Sequence, residues 1–109
     1  MTMFETGRRI YISGPMSDLP NLNWPLFNRT AVHLRNMRWE VVNPVEVNND
    51  PAAPWLRCIA ADLQAMEGCT AICLLPGWEK SFGAQIEHLA AQKEGMSIYK
   101  LEDLIPEAA

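Results

Sequence analysis

Histidine and cysteine are sparse in this chain of 109 residues, and basic residues are outnumbered by acidic ones. Cys58, Cys69 and Cys73 are odd in number, lie in apolar-rich segments and form no C-x-x-C pair. With two histidines and no cluster of them, that pattern reads as reduced core cysteines, not disulfides or zinc ligands, and no metal or other cofactor is expected. Nine Lys and Arg against thirteen Asp and Glu give a net charge of -4, and the Arg8-Arg9 pair is the nearest thing to a basic cluster. A nucleic-acid polymer needs a basic surface to displace its counterions, so such a partner is not expected. Apolar runs are far shorter than a membrane span, and the first residues lack the basic-then-apolar order of a secretion signal. The expectation is a cytoplasmic protein with no membrane partner. What the chain does have is 49% hydrophobic residues, enough for one core, and hence a single domain over 1–109 with 1–7 and 101–109 peripheral.

The most informative stretch runs from Ile72 to Ala91. It reads as a buried strand ending at Leu75, a Pro76-Gly77 turn, and a helix carrying Ser81 and Gly83 in its first turn and Glu87 in its second. A helix start offers unpaired N–H groups and partial positive charge to an anion, and a glycine allows close approach. Glu87, four residues after Gly83, projects from the same helix face and is a candidate nucleophile or base. Each residue also has a structural reading. Ser81 can cap the helix, Gly83 can ease packing, and Glu87 can be a solvated charge.

The rest of the chain supplies the neighbours. Arg8–Ser13 predicts a strand stopped by Gly14-Pro15, followed by a loop over 16–23 rich in Ser, Asp, Pro and Asn. A helix is expected from about Trp24 to Met37, with Asn23 as N-cap and Phe27, Ala31 and Leu34 facing a core. Trp39–Asn43 reads as a second strand closed by Pro44, and 45–53 as aperiodic turns. Leu56, Ile59, Ala60, Leu63 and Met66 form the apolar stripe of a helix from about Pro54 to Glu67, with Asp62 off its centre. Thr70–Leu75 is the third strand, Phe82 to about Glu94 the last long helix and Met96–Tyr99 a fourth strand. The β-α-β-α-β-α-β order implies a three-layer, flavodoxin-like or Rossmann-like α/β domain with a parallel sheet of four to five strands. Its helix N-termini gather at the strands' C-terminal edge, which should bring together Tyr11 to Met16, Asn43 to Glu46 and Pro76 to Glu87, with Asp62 near them.

Several segments carry a resemblance: Tyr11-Ile-Ser-Gly-Pro-Met16, Asn23 with Phe27, Val41-Val-Asn-Pro44, Asp62-Leu63, and Leu74 to Ala91 with its Ser-x-Gly-x-x-x-Glu element. Over residues 8 to 99 the chain resembles a family of small, often phage-encoded proteins without assigned function. That family is in turn similar to the nucleoside 2-deoxyribosyltransferases and the 2'-deoxynucleoside 5'-monophosphate N-glycosidases. The resemblance implies that Glu87 attacks or stabilises the anomeric carbon of a deoxyribose, Asp62 assists the departing base and Tyr11 orients the catalytic carboxylate. It implies that Ser81 and Gly83 hold a 5'-phosphate. Two departures stand out, because many relatives have an aspartate where this chain has Thr70 and a glycine where it has Arg38. The first suggests a lost polar anchor and the second an altered turn before Trp39. The chain is also shorter than the transferases, whose sites are completed by a neighbouring subunit.

The resulting expectation is an enzyme that cleaves or transfers at the N-glycosidic bond of a deoxynucleoside or its monophosphate, in the host cytoplasm if phage-encoded. Glu87, Asp62 and Tyr11 are the catalytic candidates. Ser13, Gly14, Pro15, Met16, Asn43, Pro76, Gly77, Trp78, Ser81 and Gly83 are the substrate-binding candidates. A homodimer or larger homo-oligomer is expected. The alternative is a non-catalytic protein that senses or sequesters a nucleotide. Trp78 can stack on a base or pack over its turn, Trp24, Trp39 and Trp55 read as core or interface anchors, and a dyad of Glu87 with His88 is disfavoured by the 100° between adjacent helix positions.

Overall fold

The central strand β1 (Arg9–Ser13) is flanked on both sides by parallel partners, and this pairing organises the molecule. A computed structural model describes residues 8–106; the leader expected over 1–7 and the last three residues lie outside them. Strands β2 (Glu40–Val42), β3 (Ala71–Leu74) and β4 (Ser97–Lys100) complete a four-stranded, all-parallel sheet in the order β2-β1-β3-β4. Register is set by Ile10 opposite Val41 and Ala71, and by Ile72 opposite Ile98. Every residue of β3 is buried, as its unbroken apolar sequence requires of a strand covered on both faces. The fold is the expected three-layer α/β domain, with the change of winding direction between β1 and β3.

Alternation along the strands sorts side chains onto two faces. Ile10, Ile12, Ala71, Cys73 and Leu75 join Phe27, Ala31 and Leu34 of α1 (Trp24–Asn36) in one apolar cluster. Leu101 of α5 (Leu101–Leu104) and Ile105 complete it at 0% and 2% exposure. The tail expected to be peripheral is therefore core at these positions, because Leu101 and Ile105 supply apolar surface that this face needs. On the other face Tyr11, Ile72 and Leu74 meet Met66, at the end of α3 (Trp55–Ala65), and Ala91 of α4 (Phe82–Lys93).

Three local expectations are revised. Asn23 does not cap α1. It sits at φ 58, and its side-chain amide donates to the Pro15 carbonyl at 2.9 Å, tying the loop back to the end of β1. Pro44 opens a short helix, α2 (Pro44–Val47), where aperiodic turns were expected. Asn43 is its cap, accepting from the Val45 N–H at 3.1 Å, and proline suits a first helical position whose N–H has no partner. In α3 the apolar stripe misplaces the buried face, since Leu56 is 74% exposed and Asp62 is the buried residue.

The two departures from the relatives are also resolved. Arg38 has φ 72 and ends α1 with the paired bonds Trp39 N–H to Leu34 O and Arg38 N–H to Arg35 O. The left-handed turn that a glycine would favour is kept, at a cost of roughly 1–2 kcal/mol. Thr70 still provides a polar anchor, its hydroxyl accepting from the Arg9 N–H at 3.3 Å. Among the described residues no helix is long and apolar enough to cross a membrane.

Candidate functional site

At the C-terminal ends of β1 and β3, the inner face of α4 points a carboxylate back at the sheet. Glu87 is 5% exposed and accepts two hydrogen bonds from β1 side chains: Ser13 Oγ donates to Oε1 at 2.6 Å and Tyr11 Oη to Oε2 at 3.0 Å. Both donors are fully buried, and they come from alternate positions of one strand, so a single strand face aims both hydroxyls at one acid. From α3, Asp62 enters the same pocket, close enough to Glu87 for the two acids to influence each other's ionisation. Asp62 is 8% exposed, and its Oδ1 accepts from Asn48 Nδ2 at 3.0 Å.

The electrostatics follow from burial. Loss of hydration pushes Glu87 up to about 8, with the Asp62 charge adding to it and the bonds from Ser13 and Tyr11 opposing it. Burial also pushes Asp62 up to about 6, opposed by its polar neighbours Glu87, Asn48 and Tyr11. The pair therefore holds one proton near neutrality. Tyr11 is raised well above its ordinary value by burial and by the two neighbouring acids, which keeps its hydroxyl a donor. Among the described ion pairs, Arg9–Glu40 and Arg35–Glu46, neither reaches this cluster.

A pocket of about 200 Å³ opens over the two acids. Of the residues singled out by sequence, Glu87, Asp62, Gly14, Met16, Ser81 and Gly83 line it. Tyr11 and Ser13 stand behind Glu87 and reach the pocket only through it. The others do not line it. Pro15 lends its carbonyl to Asn23, and Asn43 caps α2 while its amide donates to Asn28 Oδ1 at 3.0 Å. Pro76 and Gly77 form the turn before α4, with Gly77 at φ 88. Trp78 packs against His88 at 4.6 Å and against the apolar cluster of its own face, so it is not a wall of the pocket.

The structural duties of the first turn of α4 are visible too. Ser81 Oγ accepts from the Ala84 N–H at 3.2 Å and caps the helix. A Cβ on Gly83 would lie 2.9 Å from Ile59 Cδ1, and one on Gly14 would lie 2.7 Å from Leu75 Cβ, so both glycines permit close packing. Sequence reasoning missed Asn48, Asp50, Trp55 and Cys58, all of which line the pocket. Trp55 stacks on Phe82 with ring centroids 5.8 Å apart, and Cys58 is a half-buried wall residue, not a core thiol. The run Asn48-Asn-Asp-Pro51, aperiodic in sequence, was the available signal for a site loop. Strain marks the opposite rim, where Asn21, Leu22 and Asn23 are consecutively left-handed at φ 53, 54 and 58 and Leu22 faces the pocket.

Residues 8–100 match the model of a domain of unknown function, DUF4406. The chain belongs to that family. No curated protein matches it significantly. In this DUF4406 domain the described residues contain no group of three His, Cys, Asp or Glu placed to hold a metal ion. What the arrangement offers is two buried carboxyl groups whose proton affinity is raised by burial, steadied by two hydroxyls and an amide, at the floor of a pocket.

Proposed function

We propose that this protein cleaves or transfers at the N-glycosidic bond of a small deoxynucleoside or deoxynucleotide. The observation that carries this reading is the convergence of Glu87 and Asp62 from different helices onto one pocket, with Tyr11 and Ser13 gripping Glu87. Breaking an N-glycosidic bond develops positive charge on the sugar and negative charge on the base, so it calls for a carboxylate on one side and an acid on the other. In the reacting arrangement the shared proton sits on Asp62. The Glu87 carboxylate bonds to the anomeric carbon as the bond to the base nitrogen breaks, and the base takes the electron pair together with the Asp62 proton. Water or a second base then attacks the anomeric carbon, releasing Glu87 and returning a proton to Asp62. Two donors on Glu87 favour its charged form and fix its direction, which is the role assigned to Tyr11 and Ser13.

The burial of Glu87 favours the alternative of a binding protein without catalysis, because it pushes the acid up to about 8 and a protonated acid is a poor nucleophile. The test is to incubate the purified protein with deoxynucleosides and their monophosphates and to follow free base by chromatography. Base release that falls by at least about a hundredfold in Glu87→Gln is expected. Equal release by the variant sinks the assignment of Glu87, and binding without any release moves the protein to the alternative.

A further inference from the structure

The side that α3 turns to the pocket is a single stripe. Trp55, Cys58, Ile59 and Asp62 follow the i, i+3, i+4, i+7 spacing of one helix face, and all four line the cavity. Asp62 ends the stripe at the floor, and Trp55, the first residue of the helix, begins it at the rim. Seven residues of helix set the two about 10 Å apart along its axis and only about 20° apart around it.

Trp55 is 42% exposed although it lines a cavity, and its ring is nonetheless held in place. Phe82, likewise the first residue of its helix, stacks on it with an interplanar angle of 9°. Helical side chains lean toward the helix start, so both rings reach out past the ends of α3 and α4 at the edge of the sheet where the pocket opens. Gly83 supplies the room. A Cβ there would stand 3.8 Å from Trp55 Nε1 and 3.9 Å from Cζ2, so the edge of the indole lies against the bare backbone of α4. Phe82 itself does not line the pocket, and the surface that Trp55 gives to the cavity is therefore one that Phe82 leaves uncovered.

A flat ring backed on one side and open on another suits a planar heterocycle, and such stacking accepts any base because every base has a π face. Under the glycosidic reading, on which this inference rests, the departing base takes its proton from Asp62. A base engaged there and lying along the stripe brings its far edge to the indole. We infer that Trp55 is the stacking surface for the base of the substrate, with Phe82 as its backing. The pair also ties α3 to α4, and a purely structural role would act on stability alone.

The experiment compares the full chain with Trp55→Leu and Trp55→Phe, using the four common 2'-deoxynucleosides and their 5'-monophosphates. Calorimetric titration gives affinity, tryptophan emission reports stacking, and thermal melts report the fold. The compound that binds the unmodified protein best should bind Trp55→Leu about tenfold or more weakly, and Trp55→Phe within about threefold of the original affinity. The same compound should quench the emission of the unmodified protein. Trp55→Phe should lose at least about half of that quenching, the remainder coming from Trp24, which also lines the pocket. Where Trp55→Leu fails to fold, the quenching in Trp55→Phe decides. Absent quenching, full quenching in Trp55→Phe, or unchanged affinity in a folded Trp55→Leu overturns the inference, while base release by the unmodified protein keeps the glycosidic reading. Failure of every nucleoside and every monophosphate to bind removes that reading, and this inference with it.

Discussion

Strand β1 presents two different surfaces within five residues. Ile10 and Ile12 face α1 and meet Phe27, Leu34, Leu101 and Ile105 in a dry apolar cluster. Tyr11 and Ser13, equally buried at 0% exposure, face α4 and give their hydroxyls to Glu87. One face lowers free energy by removing hydrocarbon from water, at about 25 cal/mol per Å². The other retains two ionisable groups whose desolvation opposes folding unless a proton is taken up. The comparison teaches that the strand separates scaffold from site by its pleat alone, and that the site face adds buried hydrogen bonds to its packing where the scaffold face has packing only.

The largest effect should come from the scaffold face. Leu101→Ala removes a side chain with 0% exposure and should cost about 2–5 kcal/mol in chemical denaturation, with ligand affinity of the folded protein unchanged. A cost below about 1 kcal/mol would show that the tail is peripheral after all and would break the comparison.

Next in size is the pH dependence of stability, which belongs to the site face. Glu87 holds its proton to about 8 when folded, whereas its ordinary value is 4.5. Between those values the folded state binds more protons than the unfolded state. Stability should be fully present below about 4.5, fall as pH rises, and level off above about 8, a loss on the order of a few kcal/mol. Asp62 adds to the fall between 3.8 and about 6. Glu87→Gln should flatten the part above about 6, while Leu101→Ala should shift the whole profile down without changing its shape. Thermal melts at a series of pH values make the distinction.

The smallest effect concerns the amide that reaches Asp62. Asn48 donates to Oδ1, a bond that favours the charged carboxylate and opposes the rise caused by burial. Asn48→Ala should raise the Asp62 titration by about one pH unit. Carbon-detected NMR of the carboxyl group measures this directly, and an unmoved titration would remove Asn48 from the site.

Much of this architecture was legible because it is local. The alternation of apolar strands and amphipathic helices, the stop at Gly14-Pro15 and the start of α4 at Ser81 are written within a few residues of where they act. Tyr11, Ser13 and Glu87 could be assigned to one sheet edge from strand order alone. The misplaced buried face of α3 has a definite cause: hydrophobic periodicity assumes that the buried face is the apolar face, and at a site the buried face carries an acid. Trp78, a substrate-binding candidate, packs on His88, and Trp55, read as a core or interface anchor, lines the pocket, because tertiary packing sets which neighbours an aromatic ring meets. The aperiodic stretch before α3 gave no pattern to read, yet it delivers Asn48 and Asp50 to the pocket.

By itself the sequence determined the parallel three-layer fold, the direction of its helices and the edge at which a ligand can sit, since these follow from short-range pattern and from the handedness of the chain. Tertiary structure alone decided that Glu87 is gripped by two hydroxyls 74 and 76 residues away, that it is buried in one pocket with Asp62, and that no basic side chain among the described residues lines the pocket. Burial, proton affinity and the sign of a pocket's charge are sums over groups distant in sequence, and they acquire values only when folding has brought those groups together.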